Sequence, residues 1–291
     1  MTCNMNGKRN NLTLLGICLL VISLSLYGLH VEEKEDIQKT LKFQDPSKPK
    51  EVKIDNIFGS IDVMGYNGQE VKLLVHKTIK GRSKEIIQKA REEVKLDITE
   101  EGNTIDIYVD GPFRCDCKSK KSRNWRNPGY EVNFDFKLKV PHKTSLYLRT
   151  VNKGAIRVEN VEGDFEVRNV NGEIEMREIG GSGKAHTVNG KVTVIFSKNP
   201  ESECSFRTVN GTLKTSFLKN LSADLRLKTF NGDVYSDFSV THLPASPPIH
   251  KRFKGKYIYK SSRFFGVRVG KGGAEIKLDT FNGDIFISKR K

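Results

Sequence analysis

A motif of the form Thr-x-Asn-Gly, followed by alternating apolar residues, recurs along the second half of this 291-residue chain. An Asn-Gly pair tolerates positive φ at low cost, so each copy predicts a tight turn. Apolar residues at the second and fourth positions after the glycine predict a short strand with one buried face. The chain is therefore predicted to be an all-β repeat protein. The strong copies of the motif begin at Thr150, Asn169, Thr187, Thr208, Thr229 and Thr280.

The spacing of the turn glycines sets the size of the repeat. Strong turns at Gly154, Gly172 and Gly190 alternate with weak turns at Gly163 and Gly181, so one coil has 18 residues and two short strands. Later coils have 21 residues. We predict a β-solenoid of the right-handed parallel β-helix or β-roll type, because each kind of turn then returns to the same edge. The alternative is an antiparallel meander or sandwich, in which each Asn-Gly closes a hairpin.

Stacked coils bring equivalent residues together, so the solenoid also predicts two ladders. The motif threonines would form a hydroxyl ladder, and the turn asparagines would form an amide ladder. The residues predicted to form the structural turns are Asn171, Gly172, Asn189, Gly190, Asn210, Gly211, Asn231, Gly232, Asn282 and Gly283.

The repeat also divides the chain into regions. Gly232 and Gly283 are 51 residues apart, which corresponds to one 21-residue coil plus an insertion of 30 residues. The solenoid is therefore predicted to span 141–291, with the insertion at 241–271 beginning in a Pro-rich stretch.

The region before the solenoid has a different pattern. Residues 50–140 are predicted to form a small N-terminal α+β cap that covers the open end of the solenoid. Apolar residues at helical spacing predict one helix at 83–94, with Ser83 as its N-cap. The segment 56–63 looks like one degenerate copy of the repeat, and residues 29–49 are predicted to be a linker.

The first 28 residues are predicted to be a signal peptide or a membrane anchor. Lys8 and Arg9 precede an apolar run from Leu12, which extends to Leu29. An apolar run of this length allows membrane association through residues 12–29. The protein is therefore expected to be exported and to reside in the cell envelope. Export makes nucleic acid an unexpected partner, in spite of a net charge of +15.

These features resemble a known family. The exported start, the segment Phe58 to Tyr66 (FGSIDVMGY), the Val140-Pro141 break and the serial T-x-N-G-x-I-x-V copies are similar to the bacterial DUF4097 group of adhesin-like proteins. That group is related to β-solenoid head domains of auto-transporter adhesins. The resemblance covers the chain from about residue 51 onward. It implies a solenoid fold and an adhesive role, and it brings no catalytic residues.

Two basic segments are the candidate binding sites. The segment 114–126 has six basic residues and the only Trp, and 251–271 has eight basic residues, no acid and interleaved aromatics. Cations beside aromatic rings suit an anionic envelope polymer, a glycan or a lipid surface. Another envelope protein is the alternative partner, and the structural alternative is a solvated basic hairpin. The candidate residues are Lys251, Arg252, Lys254, Lys256, Tyr257, Tyr259, Arg263, Arg114, Trp125 and Arg126.

No catalytic or metal site is predicted. The histidines are scattered, no nucleophile, histidine and acid occur as a set, and Cys115 and Cys117 lack a second metal-binding pair. Outward strand residues mix their charges, as Glu166 and Arg168 do, and are interpreted as solvated ion pairs. His186 is interpreted as a surface or packed residue. The chain is predicted to be a non-enzyme without cofactor, and a β-solenoid polysaccharide lyase or hydrolase is the enzymatic alternative.

Overall fold

Two large sheets contain most of the strands in this computed structural model, which describes residues 31–114, 128–244, 249–253, 256–260 and 264–290. The ten-stranded sheet has the spatial order β1 (Val31–Lys42), β4 (Glu70–Gly81), β7 (Tyr130–Pro141), β3 (Ile61–Tyr66), β9 (Ile156–Glu159), β11 (Ile174–Ile179), β13 (Val192–Phe196), β15 (Leu213–Phe217), β23 (Ile285–Lys289) and β17 (Val234–Ser236).

The eleven-stranded sheet has the order β18 (Val240–His242), β21 (Phe265–Val269), β16 (Ala223–Lys228), β22 (Ala274–Asp279), β14 (Cys204–Arg207), β12 (Gly183–His186), β10 (Phe165–Arg168), β8 (Thr144–Arg149), β2 (Lys50–Asp55), β6 (Thr104–Asp110) and β5 (Lys95–Glu101). A separate hairpin pairs β19 (Ile249–Phe253) with β20 (Lys256–Lys260), and the helix α1 is Lys84–Glu93.

The chain coils as predicted, and successive repeats place one strand in each sheet. Strands β8, β10, β12 and β14 pair in parallel in one sheet, and β9, β11, β13 and β15 pair in parallel in the other. Inward residues of both sheets form one core, in which the largest fully buried rings are Phe134, Phe136, Phe196, Phe206 and Phe217. The antiparallel meander is therefore wrong for the repeats, because their strands pair in parallel.

The coils do not stack in chain order. The C-terminal coil, β22 and β23, lies between the coil β14–β15 and the coil β16–β17. The predicted insertion allows this arrangement. Its strand β21 pairs antiparallel with the edge of β16 that faces away from β14. The chain then returns, and β22 pairs with the opposite edge of β16, between β16 and β14. All these coils carry the same turn, so repeat spacing alone does not determine their order.

The asparagine ladder is confirmed, and it follows the spatial order of the coils. Each amide nitrogen donates to the amide oxygen of the neighbouring coil at 2.7 to 2.8 Å. The series runs Asn152, Asn171, Asn189, Asn210, Asn282 and Asn231.

The threonine ladder is wrong as predicted, because the hydroxyls do not bond to each other. Thr187 donates to the carbonyl oxygen of Gly172 at 2.9 Å, and Thr208 donates to that of Gly190 at 2.8 Å. Each threonine thus ties its coil to the turn glycine of the neighbouring coil. The same bond is made by Thr150, Thr229 and Thr280.

The cap region begins the solenoid as well as covering its end. Strand β3 pairs in parallel with β9, and Phe58 bridges to Asn152, so the degenerate repeat at 56–63 is a true coil. The predicted helix is α1, where the side chain of Ser83 accepts a hydrogen bond from the backbone N–H of Ile86 and so caps its first turn. Ile87 and Ala90 are buried on its inner face.

The linker predicted at 29–49 is wrong over Val31–Lys42, which forms the edge strand β1. This strand pairs antiparallel with β4 from Val31 opposite Gly81 to Lys42 opposite Glu70. Its sequence is mostly charged, and Leu41 is its one fully buried side chain. Charged edge strands are common because they discourage pairing with other molecules. With so many charged residues, the strand lacks the alternation of apolar and polar residues that would have predicted it.

Candidate functional site

Arg114, a predicted binding residue, is held inside the protein. Its guanidinium donates to Asp55 Oδ1 at 2.8 Å, to the Asp55 carbonyl at 2.6 Å and to the Val109 carbonyl at 2.8 Å. It also lies 4.2 Å from the ring centroid of Tyr108. Arg114 therefore links β2 to β6 and is not a free cation for a ligand.

The hairpin β19–β20 contains part of the second predicted site. Arg252 lies opposite Tyr257, its guanidinium is 5.4 Å from the ring centroid, and 66% of Tyr257 is exposed. Lys251, Lys256 and Tyr259 lie on the same two strands. Their role in binding stays a prediction, as does that of the four residues outside the described part of the chain, Trp125, Arg126, Lys254 and Arg263.

A row of basic side chains crosses the outer face of the eleven-stranded sheet. Arg149, Arg168, His186 and Arg207 lie side by side on the adjacent parallel strands β8, β10, β12 and β14. Neighbouring strands are about 4.8 Å apart, so the row presents a basic group at each step over about 14 Å. We call these four residues the basic row.

The carboxylates near the basic row are shared among several cations. Asp55 lies 3.7 Å from Arg149 and also holds Arg114, and Asp279 lies 3.6 Å from Arg207 and 3.2 Å from Lys228. Arg168 pairs with Glu166 on its own strand. Lys184 adds a further positive charge on β12. The row and its surroundings thus carry six cations against three carboxylates, which leaves a positive surface.

The positive charge of the row affects the pKa of His186. It lies between Arg168 and Arg207, and its Nε2 is 3.1 Å from Ser205 Oγ. Partial burial lowers the pKa of His186 below its ordinary value, and the charges of Arg168, Arg207 and Lys184 lower it further. The imidazole is therefore protonated less readily than that of an ordinary histidine.

The sequence contained a signal for the row. The residue immediately before the motif is basic in five of the six strong copies, the exception being Asp279. The predicted ion pair between Glu166 and Arg168 is confirmed. The pattern along one strand did not reveal that equivalent residues of different coils would stand together.

Several carboxylates of the described residues form ion pairs on the sheet surface. Glu173 lies 3.1 Å from Lys191, and Glu175 pairs with Arg177. No group of three His, Cys, Asp or Glu side chains suited to a metal ion occurs in the described part of the chain. Cys204 is a buried free thiol, and burial raises its pKa to about 11.

The predicted signal or anchor at 1–28 lies outside the described residues, as do Cys115 and Cys117. Within the described ranges, no helix has both the length and the apolar character needed to cross a membrane.

Three solved structures show a distant likeness to this chain. No family model and no curated protein matches the chain. A Clostridium sporogenes structure, provisionally described as a cell adhesion protein, is 13% identical over 89% of this chain and 100% of its own, with a TM-score of 0.41. A provisional adhesin from Bacteroides fragilis is 12% identical over 88% and 97%, with a TM-score of 0.39. A provisional lipid binding protein from Parabacteroides distasonis is 10% identical over 88% and 97%, with a TM-score of 0.22.

Proposed function

We propose that this protein is an exported, non-catalytic, adhesin-like scaffold of the cell envelope that binds a linear anionic polymer along the basic row. The observation that carries the proposal is the alignment of Arg149, Arg168, His186 and Arg207 on four adjacent strands. The proposal agrees with the resemblance to the DUF4097 group, and membership of that group is part of it.

The geometry of the row favours a polymer over a compact ligand. The sheet holds the four side chains in a line along the stacking direction, at intervals set by strand pairing. The three arginine side chains are 49%, 54% and 57% exposed, so they are accessible while their backbone is fixed. A chain with repeated phosphate, carboxylate or sulfate groups can contact all of them in turn, with little ordering cost to the protein.

Replacing Arg149, Arg168 and Arg207 together by Gln tests the proposal. We expect the affinity of the full chain for immobilised long-chain polyphosphate to fall about a hundredfold, because three charged contacts are lost. The dependence of log Kd on log salt concentration should also become shallower by about two to three. Biolayer interferometry at several salt concentrations measures both quantities.

The matched control replaces Lys191, Lys214 and Lys289, which lie on or beside strands of the other sheet, by Gln. This control removes the same charge and should retain most of the affinity. Equal loss in both triple variants would show that net charge, not the row, governs binding. Replacing Lys251, Arg252, Lys254 and Lys256 by Glu tests whether the hairpin binds the polymer. If affinity for polyphosphate falls in this variant and not in the variant of the basic row, the assignment to the row is overturned.

Binding should also depend on pH through His186. Its lowered pKa means that the imidazole of the free protein is protonated less readily than that of an ordinary histidine. A bound polyanion stabilises the protonated form, so binding takes up a proton and affinity should rise as pH falls from about 7.5 to about 5.5. His186→Gln should flatten this dependence when Kd is measured at both pH values. An unchanged pH profile in the variant would exclude His186 from the binding surface.

A further inference from the structure

A groove lies on the outer face of the ten-stranded sheet, on the side of the molecule opposite the basic row. It encloses about 820 Å³ and crosses strands β1, β4, β7, β3, β9 and β11. This volume is within the range of sites that bind small molecules. The residues that determine its chemistry are Asp62, Met64, Lys72, Leu74, Lys137 and Lys139.

Three lysines stand together at one side of the groove. Lys72 on β4 lies directly opposite Lys139 on β7, and Lys137 lies two residues along the same strand. Each is exposed, and within the described residues none has a carboxylate oxygen within 4.0 Å. Like charges directly opposite each other in a sheet are destabilising. The cluster therefore has a repulsion that a bound anion would relieve.

One of the three lysines is held in place without being neutralised. Lys72 Nζ lies 5.5 Å from the ring centroid of Tyr66, and the Tyr66 hydroxyl donates to the carbonyl of Glu70 at 2.8 Å. The aromatic face attracts the ammonium group, while its full positive charge stays available. The groove thus presents an ordered cation near its edge.

Each of the two lysines on β7 has one apolar side chain beside it on a neighbouring strand. Met64 lies opposite Lys139 and is 44% exposed, and Leu74 lies opposite Lys137 and is half-buried. On β3, Asp62 lies opposite Lys137 and is 3.4 Å from Arg157. Glu159 lies opposite Met64, and Arg177 pairs with Glu175. The lining as a whole has six cations against three carboxylates, so excess positive charge remains next to an exposed apolar surface.

We propose that this groove binds an anionic amphiphile, whose phosphate, sulfate or carboxylate head contacts Lys72, Lys137 and Lys139 and whose apolar chain lies on Met64 and Leu74. The site differs from the basic row, where a line of cations without an apolar floor suits a polymer. The two sites lie on opposite sheets and use no common residue.

Isothermal titration of the full chain with dodecyl phosphate, below its critical micelle concentration, tests the inference. We expect dodecyl phosphate to bind about tenfold more tightly than either inorganic phosphate or dodecyl maltoside, because only it carries both chemical features. Lys137→Gln with Lys139→Gln should weaken its binding about tenfold or more through loss of charged contacts. Met64→Gln should weaken binding about fivefold through loss of apolar contact.

The control variant is Arg149→Gln with Arg207→Gln, which removes two cations from the other sheet. It should bind dodecyl phosphate like the wild type and lose affinity for polyphosphate, so the two proposals can fail separately. The inference is overturned if the wild type binds dodecyl phosphate no more tightly than inorganic phosphate, or if the control weakens binding as much as the lysine variant. Circular dichroism and thermal unfolding check that all variants are folded.

Discussion

Gly211→Ala should destabilise the protein by about 4 kcal/mol or more, because the added Cβ has no space in the stack. A Cβ at Gly211 would lie 2.1 Å from the carbonyl oxygen of Gly190 and 2.6 Å from its carbonyl carbon. Both are backbone atoms of the neighbouring coil, held by the bond from Thr208 to the same carbonyl. The coils must separate to accept a methyl group, which breaks the ladder on both sides. Urea unfolding monitored by circular dichroism measures the change in free energy of unfolding.

Gly102→Ala is the matched control. Gly102 lies between β5 and β6 with φ of +59°, and a Cβ there would have no atom within 4 Å. Its substitution tests only the cost of a positive φ, about 1 kcal/mol. If Gly211→Ala costs no more than Gly102→Ala, close stacking of the turns is not what requires glycine.

The positions of the turns were predicted correctly, but the reason given for their Asn and Gly residues was incomplete. A positive φ was expected at both Asn and Gly, yet the positive-φ residues of the described chain include Gly190, Gly232 and Gly283 and none of the turn asparagines. The asparagines are required for their amide ladder, and the glycines also for the close approach of neighbouring coils. Both requirements come from stacking, which a single copy of the motif does not reveal.

The parts of the fold that sequence did not predict depend on contacts between distant segments. Strand β1 is largely polar, and its position follows from pairing with β4 rather than from its own pattern. The candidate sites have the same origin. The basic row combines four coils, and the lysine pair in the groove joins β4 to β7, which are separated in sequence by α1, β5 and β6. Equivalent positions of the repeats can be compared in the sequence, so the basic row was open to prediction. The groove was not, because its lysines come together only through the pairing of β4 with β7.

The order of the coils leads to a second large effect. Ile285 and Val234 occupy the same position after identical Thr-Phe-Asn-Gly-Asp segments, and they pair with each other across β23 and β17. Ile285 is fully buried between two coils, whereas Val234 lies half-buried on the last strand of the sheet. Stacking in chain order would instead place Ile285 at the end and Val234 inside.

Ile285→Asp should therefore abolish cooperative unfolding or reduce stability by about 4 kcal/mol or more, because it buries a charge without a partner. Val234→Asp should cost about 1 to 2 kcal/mol, since an edge strand can turn its side chain toward water. Urea unfolding of the two variants measures the difference, and their matched sequence surroundings remove local propensity as an explanation. The reverse ranking would mean that the coils stack in chain order, with the C-terminal coil at the end. The observed order makes the coil of β22 and β23 an internal layer, which packs between two coils that precede it in the chain.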